Sequence, residues 1–209
     1  PPGAGKGTQA NNLSKDLNLF KISTGDLLRN EIHEETPLGK KIETVMKTGS
    51  FVSDEIINNL IETILSKKNY SNRLIFDGYP RNLNQAKNLD ALMLKYNQKI
   101  SCVLRLVVNH EVVAKRISGR QICSKCGSIF NKYLNQTAPK NHPCGSEFLV
   151  TRTDDNEETI KNRYETYNKE TLPIINYYIN QNLLKEVDGM GEIHQIYKKI
   201  REIIDSLDT

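Results

Sequence analysis

At 209 residues, with 37% hydrophobic and 26% charged residues, the chain can build one substantial core but not two ordinary domains. A formal net charge of +4 suits anionic small molecules and is too thin for a nucleic-acid-binding surface. No run approaches the roughly 20 apolar residues of a membrane span.

Strands and helices alternate from end to end. A helix over Lys6 to Leu17 leads to a short strand around Phe20-Lys21-Ile22. Helical segments follow near Asp26–Glu34, Leu38–Lys47 and Asp54–Lys67. Arg73-Leu74-Ile75-Phe76-Asp77 and the run from Cys102 to Val108 read as buried parallel strands, apolar without alternation. Helices are predicted over about Leu83–Tyr96 and His110–Ser118, then one long helix from Glu157 to about Gln181. A strand at Leu184–Val187 and a helix from about Glu192 close the chain. This order predicts an α/β fold with a doubly wound parallel sheet. Residues from Gly119 to about Asn156 break the rhythm with turn residues and clustered cysteines. A structureless loop of that length is improbable in a compact domain, so the segment reads as an insert with its own organising element.

Pro2-Gly3-Ala4-Gly5-Lys6-Gly7-Thr8 has the chemistry of a phosphate loop, with one extra glycine between lysine and threonine. Glycines let backbone N–H groups converge on phosphate oxygens, the following helix adds its N-terminal partial charge, and Lys6 reaches the outer phosphates. The sequence opens inside this loop, so a central apolar strand is expected upstream as the missing first strand of the sheet.

Together with this loop, Ile22-Ser23-Thr24-Gly25-Asp26-Leu27-Leu28-Arg29, Phe76-Asp77-Gly78-Tyr79-Pro80-Arg81, and Thr151-Arg152 followed by Asp154 to Thr159 resemble adenylate kinases, in the family's order over essentially the whole chain. The resemblance implies reversible phosphoryl transfer from Mg·ATP to AMP giving two ADP, and so a role in adenine nucleotide balance. It implies a P-loop kinase core over 1–22, 53–118 and 157–209, an AMP-binding helical insert over 23–52, and a small zinc-ribbon-like lid over 119–156. For ATP it points to Gly3, Ala4, Gly5, Lys6, Gly7, Thr8, Arg116, Arg120, Ile129, Phe130 and Gly191. For AMP it points to Thr24, Arg29, Ser50, Phe51, Val52, Gly78, Tyr79, Pro80, Arg81 and Gln85. Arg152 and Arg163 join Lys6, Arg81 and Arg120 around the transferring group, and Asp77 holds Mg²⁺ through water. A monomer in the cytoplasm, with neither nucleic acid nor membrane as partner, is the corresponding expectation.

The arginines carry an argument of their own. Nine stand against twenty lysines, so arginine is expected where a planar, bidentate grip on phosphate is needed. Arg73, Arg105 and Arg201 are the expected exceptions, as surface or strand-end charges. AMP phosphate is already an anionic nucleophile and needs no general base; Asp154 and Asp155 are expected to orient lid arginines.

Cys123-Ser124-Lys125-Cys126 and Cys144-Gly145-Ser146-Glu147 repeat a C-x2-ligand unit about 17 residues apart, a zinc-site spacing. Cys123, Cys126, Cys144 and Glu147 form the expected ligand set, with His142 as rival fourth ligand and unmetallated thiols as the plain alternative. Cys102 falls outside the cluster, in an apolar run; a metal knot in a reducing compartment suits this usage better than disulfides.

Two other readings compete. A related UMP/CMP kinase would carry alanine in place of Thr24 and a short lid. A zinc-ribbon module binding nucleic acid would interleave basic and aromatic residues in the lid, and this one does not.

Overall fold

The computed structural model describes residues 1–67, 73–133, 142–152 and 154–207. Residues 134–141 and 153 of the expected lid, and 68–72 and 208–209 of the expected core, lie outside the described residues. In chain order the elements are α1 (Lys6–Asp16), β1 (Phe20–Ser23), α2 (Thr24–His33), α3 (Pro37–Lys47), α4 (Asp54–Leu65), β2 (Leu74–Asp77), α5 (Leu83–Lys95) and β3 (Val103–Val107). Then come α6 (His110–Ser118), β4 (Arg120–Cys123), β5 (Ile129–Asn131), β6 (Leu149–Val150), α7 (Glu157–Thr166), α8 (Pro173–Asn180), β7 (Leu184–Asp188) and α9 (Ile193–Asp205).

Short polar side chains set many of the helix starts. Ser23 accepts from the Asp26 N–H, Asn82 from Gln85, Asn109 from Glu111 and Asn156 from Thr159; Thr36 accepts from Gly39, with Pro37 at the first turn of α3. Each cap satisfies an N–H that has no intrahelical partner.

β1 pairs parallel with β2, and β3 pairs parallel with β7, in register Phe20 with Leu74 and Val103 with Leu184. The side chains alternate between two cores as the pleat requires. Leu74 and Phe76 pack with α4 and α5, whereas Ile75 packs with Leu13 of α1 and with Ile196 and Ile200 of α9. Val103 and Leu184 meet Ile174 and Tyr178 of α8, while Leu106 and Val187 face α9. Helices therefore cover both faces, which is the doubly wound arrangement. Among the described residues β2 and β3 are not paired to each other. A cavity of about 1890 Å³ runs between them, lined there by Ile75, Leu104, Leu106, Leu13 and Ile200, and opens into the glycine loop and the arginines.

The predicted long helix is interrupted. Between α7 and α8, residues Tyr167–Thr171 widen into a π-helical turn, and Leu172 N–H reaches back to Tyr167 O at 3.0 Å. Pro173 has no N–H to continue the i to i−4 ladder, which accounts for the break. The widened turn faces the cavity through Tyr167 and Thr171.

The strands β5-β4-β6 form a separate antiparallel sheet. It leans over the glycine loop: a Cβ at Gly7 would stand 3.1 Å from Ile129 Cδ1 and 3.3 Å from Asp77 Oδ2. The extra glycine of the loop is thus the space that lets β5 and the end of β2 approach α1.

Candidate active site

Gly3 and Gly5 take φ values of 68° and 94°, open to glycine at no steric cost. The chain so turned enters α1 at Gly5 with no side-chain cap. The first-turn N–H groups of α1 have no intrahelical acceptor, and Gly3 to Thr8 line the cavity. Lys6 folds back over the loop and donates to Pro1 O at 2.6 Å. Its pKa is lowered to about 8, first by removal from bulk water within the cleft, opposed by Asp77, and lowered further by Arg81, Arg120 and Arg163.

Around this lysine the arginines converge. Arg163 is held below the ordinary guanidinium range, first by burial and then by Arg120, Arg81, Arg152 and Arg29. Arg152 is lowered by burial, then by Arg120 and Arg29, with Asp26 and Asp155 opposing. Guanidinium groups stay charged, so these shifts reflect the cost of withdrawing the cations from water, to which repulsion among neighbouring cations adds. Carboxylates hold the assembly in place. Asp155, its side chain fully buried, receives a bidentate fork from Arg120 (Nε to Oδ2 2.8 Å) and stands 3.6 Å from Arg163; Asp154 pairs with Arg163. Both acids orient these arginines, as expected from the sequence.

The second turn is built on Gly78, with φ 73° and a cis Tyr79–Pro80 bond. Arg81 Nε donates to Gly78 O at 2.7 Å, and its guanidinium lies 5.3 Å from the Phe51 ring centroid. Thr24 Oγ1 donates to the same carbonyl at 2.8 Å, joining α2 to this turn. Arg29 pairs with Asp26 at 2.5 Å. Burial alone would raise the Asp26 pKa, but Arg29 and Arg152 bring it to about 2. Ser50 Oγ lies 3.1 Å from Thr48 Oγ1, and Val52 is buried in the α4 core. Arg116 and Gly191 line the cavity, as do Ile129 and Phe130; Asp77 stands at the end of β2 beside the loop. Arg73, just before β2, binds the carbonyls of Leu17 and Asn18, and Arg201 pairs with Asp205. Arg105, expected at a surface or strand end, instead stands half-buried in the middle of β3, where it pairs with Glu186 of β7 and lines the cavity.

A cavity that joins a glycine phosphate loop to a ring of arginines is built for two polyanions. The family model for adenylate kinases matches residues 1–183. The chain belongs to the adenylate kinase family. Curated adenylate kinases resemble it over nearly their whole length. That of Pelagibacter ubique is 47% identical over 98% of this chain and 96% of its own. That of Acholeplasma laidlawii is 42% identical (98% and 95%), and that of Archaeoglobus fulgidus 39% (100% and 97%). This kinase is an ATP:AMP phosphotransferase that reversibly moves a phosphoryl group from Mg·ATP to AMP. Among the described residues no helix is long and apolar enough to cross a membrane.

Two residues of the kinase escaped the sequence reading. Asp26 links Arg29 to Arg152 (3.5 Å) across 126 residues; its spacing from Arg29, three along a helix, was the available signal. Asp54 accepts from Gln85 Nε2 at 2.7 Å and from Asn82 Nδ2 at 2.8 Å. Gln85 Oε1 accepts from the Arg81 N–H at 2.8 Å, so this amide is buried behind the Arg81 turn.

In the small antiparallel sheet, Cys123, Cys126, His142 and Cys144 bring one ligand atom each within 4.8 Å of one another. Cys126 Sγ stands 3.7 Å from His142 Nε2. Tetrahedral zinc with bonds of about 2.3 Å to sulfur and about 2.0 Å to nitrogen spaces such ligands roughly 3.6–3.8 Å apart, so the group fits the ion with small adjustment. Glu147 lies outside the group, its carboxylate folded over Gly145. The rival residue His142, rather than Glu147, completes the gathered set.

Proposed function

We propose that the kinase works by charge-matched positioning of two nucleotides, each on its own module. The core spans 1–22, 53–118 and 157–209, the AMP insert 23–52 and the lid 119–156. ATP lies along Gly3–Thr8 with Lys6 at its outer phosphates, flanked by Arg116, Ile129, Phe130 and Gly191. AMP lies against Thr24, Ser50–Val52 and Gly78–Pro80, its phosphate gripped by Arg29 and Arg81. Gln85 keeps the Arg81 turn fixed from behind and is the amide that the resemblance assigns to the adenine, which would reach it only as the turn opens. Arg120, Arg152 and Arg163 surround the phosphoryl group in transit. The convergence of these cations with Lys6 and Arg81 on one cavity is the observation that carries the reading.

The chemistry asks for little else. The AMP phosphate attacks in line as an anion, so placement and neutralisation of charge supply the acceleration, with no general base. Asp77 is the carboxylate that would hold Mg²⁺ through water, and the ion would supply positive charge to the polyphosphate. Closure of lid and insert excludes water that would otherwise take the phosphoryl group.

In the lid, Cys123, Cys126, His142 and Cys144 hold structural zinc, which cross-links a sheet too small to build a core of its own. The enzyme acts as a cytoplasmic monomer that balances adenine nucleotides, with neither nucleic acid nor membrane as partner.

A coupled assay with AMP, UMP, CMP and GMP as acceptors tests the assignment. AMP is expected to exceed the others in kcat/KM by at least about 100-fold, the discrimination open to a site that hydrogen-bonds its base. Comparable rates with UMP or CMP would remove the adenine-specific reading of Thr24 and Gln85.

A further inference from the structure

His142 does two things at once in this lid. Its Nε2 faces the thiol cluster, 3.7 Å from Cys126 Sγ. Its ring also meets the Phe130 ring edge-on, with centroids 4.7 Å apart and planes inclined at 63°. Phe130 lies on β5 and lines the nucleotide cavity together with Cys126, Gly127, Ser128 and Ile129. The next residue along β5, Ile129, is the one that reaches Gly7 of the phosphate loop. The ligand cluster and the ATP side of the cavity are therefore one imidazole apart.

We propose that His142 is a positioning residue that ties metal occupancy of the lid to ATP affinity by backing Phe130. The inference rests on the reading of this lid as a metal knot on the ATP side. With Nε2 ligated, the imidazole cannot rotate and gives Phe130 a fixed wall. Without the ion, its described partners are one thiol and the Phe130 ring itself. A carboxylate or thiol as fourth ligand would close the knot equally well and leave Phe130 unsupported. Histidine at this place adds a connection that metal binding alone does not require.

The test uses the zinc-loaded enzyme and calorimetric titration with Mg²⁺ plus a non-hydrolysable ATP analogue, and separately with AMP. His142→Cys retains four ligands but no ring. It is expected to carry one zinc per chain, bind AMP normally and bind the ATP analogue three- to tenfold more weakly, the size of one lost ring pair. Phe130→Leu is expected to show the same loss, and the double variant no more than either alone. Stripping zinc from the wild-type chain with a chelator is expected to weaken the ATP analogue and spare AMP, which keeps the test independent of how well His142→Cys loads. Wild-type analogue affinity in zinc-loaded His142→Cys or in the stripped enzyme, an additive double variant, or equal losses for both nucleotides would overturn the proposal. A wild-type zinc content near zero would instead defeat the metal knot itself, so the two failures are distinguishable.

Discussion

Lys6 offers the sharpest electrostatic test of the site, because desolvation and the neighbouring arginines lower its pKa to about 8, below the ordinary lysine value of 10.5. Three arginines and desolvation depress it, and a polyphosphate laid along Gly3–Thr8 reverses the balance by placing negative charge against the ammonium. Binding must then draw a proton from solvent wherever the free lysine is partly neutral. If the bound value rises above 10, uptake is roughly 0.7 proton at pH 8.5 and about 0.1 at pH 7. Calorimetric titrations of Mg²⁺ and a non-hydrolysable ATP analogue, run at each pH in buffers of different ionisation enthalpy, give the number directly. At pH 8.5 the ligand phosphates are already ionised and contribute little. Lys6→Arg keeps the charge but does not titrate in this range, so its uptake is expected to vanish while binding persists. The same linkage predicts that the empty enzyme gains stability from this group between about pH 8 and pH 10.5, where the unfolded chain binds more protons than the folded one. Uptake independent of pH, or unchanged in Lys6→Arg, would refute the placement of Lys6 among the cleft cations.

Two further perturbations probe the supports of the site. A Cβ at Gly39 would run into the Glu31 carbonyl, with Ile32 N 2.8 Å away, where α3 crosses the end of α2. Backbone on both sides leaves nothing flexible to yield, so overpacking of about 1–3 kcal/mol or more should outweigh the ~1 kcal/mol helix gain of Gly39→Ala. A melting temperature lowered by several degrees, with KM raised for AMP and not for ATP, is expected; a stabilised variant would contradict the crossing. Asp155→Asn removes the charge that Arg120 and Arg163 share. Those arginines keep some exposure to the cleft, so about 1–3 kcal/mol of stability and at least a tenfold loss of kcat are expected by thermal melting and initial rates. Near-normal values of both would show that Asp155 does not position them.

Much of the fold was legible because local chemistry and tertiary structure agree. The period of His110–Ser118 announced that helix, to which the structure adds Asn109 as its cap, and Arg73–Asp77 announced its strand as an apolar run without alternation, whose side chains meet two cores. The π-helical turn was harder to read, since the apolar spacing runs on from Glu157 to Gln181. Pro173 held the clue, but a proline can open a helix as well as break one, and only the ladder distinguishes the cases. The fourth lid ligand failed for a geometric reason. Spacing favoured Glu147, three residues past Cys144. Gly145, with φ 94° and its N–H on His142 O at 3.0 Å, turns the chain so that His142 reaches the thiols while the Glu147 carboxylate folds back over Gly145. Gln85 was placed correctly on its helix, yet its amide donates to Asp54, 31 residues upstream, a partner that no spacing rule connects to it.

The arrangement of carboxylates explains how so many cations share one cleft without a ligand. Asp155 serves Arg120 and Arg163, Asp154 serves Arg163, Asp26 serves Arg29 and Arg152, and Asp77 opposes the lowering of Lys6 and Arg81. Each acid fixes the direction of a guanidinium but cannot neutralise the group, because the cations outnumber them. Burial is the first cause that depresses Lys6, Arg152 and Arg163, and the remaining repulsion among the cations adds to it. That repulsion would fall as anionic phosphates entered the cleft. Asp26 stands in the segment proposed to bind AMP and Arg152 in the segment proposed as a lid, so their 3.5 Å contact would join the two directly. If, as proposed, Arg29 binds the AMP phosphate, its departure from Asp26 would change the hold of that carboxylate on Arg152, a physical means by which the two substrates would sense each other.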